Sequence, residues 1–219
     1  MHAVRGERSA YRPVVSRLVD GCEPLAVAAA LLRAAGDRAP PVLYVADLDA
    51  ILGGDPQREL LGALLAATPD LLLWLDAGFA HPDAAARLCD ALGADGARVR
   101  PVFGSESLDS TRALDALAGV PGAILSLDRR GALPLDPAGA WSRPGAWPDT
   151  VIVMTLDRVG SAAGPDLERL SQVRAIAPGR TWVGAGGVRS EADLAAAGAA
   201  GADAWLVASA LHDGSLRRV

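Results

Sequence analysis

Short apolar runs recur along this chain, each closing on a polar residue or a glycine, and the stretches between them are rich in alanine and leucine at helical spacing. The runs read as buried strands over Val42–Asp47, Leu71–Asp76, Val99–Phe103, Ala123–Asp128, Thr150–Thr155, Thr181–Gly184 and Ala204–Val207. The stretches between them predict helices over Pro24–Ala35, Pro56–Ala67, Pro82–Leu92, Ser110–Leu117, Asp166–Ala175 and Glu191–Ala197, with a short one after Ala208. Several open at a proline or behind Asp, Ser or Thr, which suit a first helical turn and accept its unpaired N–H groups. Such alternation builds a parallel sheet covered by helices. One link departs from the pattern. Pro134, Pro137, Pro144 and Pro148 argue against a full helix between Gly131 and Pro148.

Alternation alone fits both a closed barrel and an open doubly wound sheet, and an internal repeat separates them. A shift of 108 positions lays "YVADLDA", from Tyr44, on "IVMTLDRV", from Ile152, and matches Val45 with Val153, Leu48 with Leu156 and Asp49 with Asp157. The same shift lays "WLDAGFAHPDA" on "WVGAGGVRSEA", matching Trp74 with Trp182, Ala77 with Ala185 and Gly78 with Gly186. Four βα units taken twice predict an α/β fold of the (β/α)8 TIM-barrel type, one domain over residues 1–219.

Composition narrows the function classes. At 219 residues, 51% apolar and 21% charged, the chain holds one large aliphatic core and is too apolar for disorder. A net charge of −5 argues against a sequence-independent grip on nucleic acid. All 21 basic residues are arginine, which excludes a lysine Schiff base. Cys22 and Cys89 lack metal-site spacing, and neither metal nor other cofactor is expected. Apolar runs such as Leu25–Leu32 are too short to cross a bilayer, and Arg5, Glu7 and Arg8 interrupt any signal peptide. The expectation is a cytoplasmic domain without membrane or nucleic-acid partners; the pattern sets no oligomeric state.

In a barrel of this type chemistry sits where the strands end. Those ends carry Asp47 with Asp49, Asp76, Gly104-Ser105-Glu106, Asp128, Thr155 with Asp157, Gly184–Gly187, and Ala208-Ser209. In "GAGGVRSEADL" a strand ends in glycines, and Ser190 with Asp193 forms a capping box ahead of a helix. Glycines admit an anion to backbone N–H groups at a helix start, so phosphate fits Gly186, Gly187, Ala208 and Ser209. A tight turn alone would also need glycine. Asp47 and Asp49 are equally readable as turn residues, and His2, His81 and His212 as ordinary ones. Arg8 reads as solvated, and Trp141 and Trp147 either pack on the barrel or cover its mouth.

In this order, "LYVADLDA", "SLDRRG", "MTLDRVGSAAGPDLERL", "VGAGGVRSEADL" and "WLVASALHDG" resemble the HisA/HisF family over almost the whole chain. These are half-barrel-repeat enzymes of histidine biosynthesis, a phosphoribosyl-sugar isomerase and an imidazole-forming cyclase. The opening "HAVRGERSAYRPVVS" resembles a related branch, some members of which occur alongside one-carbon cofactor (methanopterin-type) genes. The resemblance implies an Amadori aldose–ketose isomerisation of a phosphorylated sugar-type metabolite by two carboxylates. It implies that Asp128 is the acid–base group from the family's fifth strand and Thr155 the site-lining threonine of its sixth. Asp157 would be the aspartate after it, and Gly186 and Gly187 the phosphate glycines.

The departures matter as much. The family's other catalytic aspartate, on its first strand, lies ahead of the segment matching "HAVRG", so strand and carboxylate are expected to be missing from this chain. A start codon placed late or a trimmed chain would explain this, as would true loss. Asp76 in "DAGFA" stands where bisphosphate enzymes of the family carry a phosphate loop, and Ala80 where arginine is usual, which favours a monophosphate substrate. Val159 and Ala208 replace an acidic residue and a glycine. Two alternatives to the isomerase therefore stand: a lyase or synthase of one-carbon cofactor biosynthesis, and a non-catalytic binder of a phosphorylated metabolite.

Overall fold

The computed structural model describes residues 11–36 and 40–216. In chain order the main elements are α1 (Pro24–Ala35), β1 (Val42–Ala46), α2 (Leu48–Ile51), α3 (Arg58–Ala67), β2 (Leu72–Asp76), α4 (Pro82–Ala91), β3 (Val99–Gly104) and α5 (Thr111–Ala116). They continue with β4 (Ile124–Arg130), β5 (Leu133–Pro134), β6 (Thr150–Thr155), α6 (Leu167–Ile176), β7 (Thr181–Ala185), α7 (Glu191–Ala199), β8 (Ala204–Leu206) and α8 (Ser209–His212). The chain divides into two compact units, and it passes from one to the other within β4 and again within β6. The expected loss of the family's first strand, like His2 and Arg8, lies outside the described residues.

The first unit takes in residues 38–127 and 135–151. Its strands run parallel in the order β1-β2-β3-β4, with Leu73 opposite Val99 and Phe103 opposite Leu125. Leu61 and Leu65 of α3 and Leu114 of α5 are buried, as are Leu73, Leu75, Val102, Phe103 and Leu125 of the strands. Five of the six β3 residues are buried, the run of covered positions that a parallel strand shows when both its faces are packed. His81 takes the ordinary role expected of it: it caps α4, its ring Nδ1 accepting the Asp83 N–H at 3.3 Å. The proline-rich link forms two short 3₁₀ turns in place of a helix. Asp136 accepts the N–H groups of Ala140 and Trp141 there, and Trp147, only 4% exposed, donates its indole N–H to Ala140 O at 2.7 Å. Trp147 is therefore a packing residue.

The second unit takes in residues 1–37, 128–134 and 152–219. Here β6, β7 and β8 are neighbours in that order, with Gly184 opposite Trp205. The short β5 folds back antiparallel on the end of β4, pairing Pro134 with Arg129 and Leu133 with Arg130. Glu23 caps α1 through both carboxylate oxygens. Val188, Ala210, Leu211 and Leu216 form a buried cluster against which Leu31 of α1, Leu194 of α7 and Trp205 of β8 pack. The His212 ring Nδ1 lies 2.9 Å from Ser16 Oγ.

The repeat is visible in matching backbone contacts inside each unit. Gly78 has φ +64°, and a Cβ there would lie 2.9 Å from Ile51 Cα; Gly186 has φ +84°, and its Cβ would lie 3.0 Å from Val159 N. Ile51 and Val159 stand 108 positions apart, as Gly78 and Gly186 do. The residues closing β1 and β6 act alike as well. Asp47 accepts the N–H of Gln57, the cap of α3, at 2.7 Å, and Thr155 donates to Asp166, the cap of α6, at 2.7 Å. Each ties a strand end to the start of a helix further along the chain, α3 in one unit and α6 in the other.

Candidate active site

Asp128 lies near the end of β4 and is 4% exposed. Side chains alternate along a strand, so Asp128 shares a face with Ser126 while Leu127 and Arg129 take the other. The hairpin with β5 extends the strand past Asp128 and gives the carboxylate a rigid base. Gly131 at its turn donates its N–H to Asp157 Oδ2 at 2.5 Å, which joins the loops after β4 and β6. Arg129 is 6% exposed, and its Nε has no hydrogen-bond partner among the described residues. Burial lowers its pKa, Arg169 lowers it further, and Asp166 and Asp157 oppose the shift. In the sequence Arg129 follows the aspartate that closes an apolar run and carries no signal of burial.

Thr155 is buried where β6 ends, and its hydroxyl donates to Asp166 Oδ2 at 2.7 Å. Asp166 Oδ1 meanwhile accepts the Arg169 N–H, capping α6. With its proton committed to a carboxylate, the Thr155 hydroxyl can meet a ligand only as an acceptor. Arg158 fastens the next loop by donating to Ala163 O at 2.8 Å and Gly164 O at 3.4 Å.

The glycine turn after β7 is the best-defined part. Gly186 and Gly187 have φ of +84° and +83°, a region closed to most side chains. A Cβ on Gly187 would lie 2.1 Å from Gly164 O, so that position has neither the conformation nor the space for another residue. Both carbonyls face protein: Gly186 O accepts the Trp205 indole N–H at 3.1 Å, and Gly187 O accepts the Gly164 N–H at 3.0 Å. In a trans peptide the next N–H points opposite to the carbonyl. The N–H groups of Gly187 and Val188 are thus turned away from these partners, and neither has a hydrogen bond among the described residues. Successive backbone N–H groups can bind an anion where they converge.

Arg189 is committed elsewhere. Its guanidinium forks onto Asp193 at 2.9 Å on both oxygens, and its N–H donates to the same carboxylate. The expected capping box joins Ser190 and Asp193: Ser190 Oγ accepts the Asp193 N–H, and the Asp193 carboxylate reaches back to the N–H of Arg189 and toward that of Ser190. These bonds hold the Asp193 pKa down at about 2 against an ordinary 3.8. A depressed folded-state pKa stabilises above the unfolded value and loses that contribution as pH falls through the folded one. Removing the guanidinium by Arg189→Met should let the Asp193 pKa, followed by carboxyl NMR titration, climb from about 2 toward 3.8; an unmoved value would mean that the backbone holds it alone. Ala208 caps α8, and Ser209 is the first residue of that short helix in the same unit.

Asp47, Asp76, Gly104 and Ser105 belong to the other unit. Asp47 is buried and accepts from Ala50 N, Gln57 N and Gln57 Nε2. Asp49 is exposed. Asp76 accepts the Tyr44 hydroxyl at 3.2 Å and the Gly78 N–H at 3.0 Å. Gly104 ends β3, and Ser105, fully buried, donates to Leu135 O at 2.7 Å. A hollow of about 360 Å³ in the second unit opens at the amino end of β7, among Ser171, Arg174, Arg180 and Asp203, away from the glycine turn. Its Asp203 accepts the Trp182 N–H, and Arg174 lies in the last turn of α6.

The model of a family described as "histidine biosynthesis protein" matches residues 145–217, the stretch carrying Thr155, Asp157 and the glycine turn. Over 189 residues the chain is 31% identical to the 1-(5-phosphoribosyl)-5-((5-phosphoribosylamino)methylideneamino) imidazole-4-carboxamide isomerase of Thermus thermophilus, covering 80% of this chain and 78% of that protein. The chain belongs to the HisA/HisF family. A protein of the same name from Thermomicrobium roseum is 29% identical over 199 residues, covering 80% of this chain and 75% of its own length. As a HisA/HisF protein the chain has the (β/α)8 fold class that its strand–helix alternation and internal repeat predict. Among the described residues no helix of this HisA/HisF member is long and apolar enough to cross a membrane.

Proposed function

We propose that this chain is an aldose–ketose isomerase acting on a phosphorylated sugar-type metabolite in histidine or related biosynthesis. The observation that carries the reading is one unit that holds both a buried carboxylate at a strand end, Asp128, and two adjacent unpaired N–H groups at Gly187 and Val188. The relatives named as isomerases support the reaction class.

In an Amadori rearrangement a proton is delivered to the ring oxygen as its bond to C1 breaks, leaving an imine at C1. A proton then leaves C2, and the electron pair moves to give an enaminol. Protonation at C1 and loss of the proton on the C2 oxygen yield the aminoketose. Asp128 supplies or removes one of these protons, work that suits a positioned carboxyl group. Thr155 accepts a hydrogen bond from a sugar hydroxyl, and the Gly187 and Val188 N–H groups hold the phosphate, with Ser209 a further donor from the same unit. One phosphate is proposed, because Asp76 stands where a second phosphate loop would be.

The test is to incubate the purified chain with the aminoaldose of the relatives' reaction in deuterated water. Formation of the aminoketose with stereospecific incorporation of deuterium at sugar C1 supports the reading. Absence of both product and incorporation, with phosphate still bound, would establish a binder instead.

A further inference from the structure

We infer that Trp205 is the positioning residue of the phosphate site, a role that rests on the reading of Gly187 and Val188 as phosphate donors. Trp205 stands opposite Gly184 in the β7–β8 register. A Cβ on Gly184 would come within 2.1 Å of the Trp205 ring, so the indole lies on the bare backbone of β7. From there its Nε1 reaches along the strand to Gly186 O at 3.1 Å. The ring also packs on the buried cluster of Val188, Ala210, Leu211 and Leu216, which holds it from the side of the helices.

This bond sets the direction of the Gly186–Gly187 peptide. Glycines on both sides, at φ +84° and +83°, impose no side-chain barrier to turning that peptide, and the N–H and carbonyl would exchange places if it flipped. A flipped peptide would present a carbonyl oxygen to the anion. The indole N–H is a donor only, so it accepts one orientation and rejects the other. It needs no contact with the phosphate to act. Its ring supplies the packing and its nitrogen the choice of peptide direction, and Phe retains the first while lacking the second.

The experiment is a titration of ¹⁵N-labelled protein with inorganic phosphate at constant ionic strength, on wild type and Trp205→Phe, with thermal melting of both. In the wild type, phosphate should shift the Gly187 and Val188 amides, and the Trp205 indole N–H should be protected from exchange. In Trp205→Phe the phosphate dissociation constant should rise about three- to tenfold, the range expected for one lost hydrogen bond, with the melting temperature little changed. The Gly187 amide should also move in the phosphate-free variant. If phosphate shifts Gly187 and Val188 but binds the variant equally well, the role of Trp205 is wrong and the phosphate reading stands. If wild-type shifts appear at other amides, or none appear, the phosphate reading falls and the Trp205 role with it. A rapidly exchanging indole N–H in the wild type overturns the role even if the variant does not fold.

Discussion

Asp128→Asn should lower kcat by about 10²- to 10⁴-fold, the usual contribution of a general acid or base, while leaving phosphate affinity within about twofold. Asparagine has the size of aspartate and can accept hydrogen bonds through one oxygen, so the variant removes proton transfer with little change of shape. The residue is 4% exposed, and exchanging a buried carboxylate for an amide of the same shape should cost about 1–3 kcal/mol of stability. Folding and anion binding thus survive while turnover does not, and this split is the informative result. Steady-state kinetics and phosphate titration on the same preparation measure it. A variant whose kcat stays within about threefold of wild type would remove Asp128 from the mechanism.

Gly187→Ala should be the most destabilising single methyl group in the turn. Two effects add. A non-glycine residue at φ +83° loses about 1–2 kcal/mol, and its Cβ would lie 2.1 Å from the Gly164 carbonyl, forcing the two loops apart at about 1–3 kcal/mol more. A total near 3 kcal/mol corresponds to a fall in melting temperature of roughly 6–12 °C for a chain of this size. Phosphate binding should be lost as well, because the loop that moves carries the donor. Gly179→Ala separates the contributions: Gly179 has φ +89° but nothing within 4 Å of its Cβ position, so only the backbone cost applies. Equal melting temperatures for the two variants would show that the close approach to Gly164 does not matter.

Much of the fold was legible because buried parallel strands advertise themselves. α1 runs from Pro24 to Ala35 as the pattern predicts, and β6 from Thr150 to Thr155. What escaped was short or depended on distant partners. The four residues of α2 carry no period, and Asp47, read as the last residue of a strand, instead caps that helix. β4 runs two residues past Asp128 because β5 pairs with them, and a two-residue strand has no sequence signal. The positions of the candidate site were readable as strand ends. Which atoms are already engaged was not, since Thr155 finds Asp166 and Ser105 finds Leu135 across folded loops. The buried Arg129 lay hidden for the same reason: a charged residue reads as surface until its neighbours are known.

The indole lying on Gly184 also constrains how this sequence can drift. Position 184 tolerates no side-chain carbon while Trp205 is present, and Trp205 fits only while position 184 is glycine. The constraint is one-sided in order: position 184 cannot gain a side chain first, whereas Trp205 can shrink first at the loss of its packing and of its bond to Gly186 O. Relatives bearing alanine or serine at the position of Gly184 are expected to carry a small residue at that of Trp205, and their glycine turn must then be oriented by some other donor. Grafting a tryptophan alone into such a relative should therefore fail where the paired exchange succeeds.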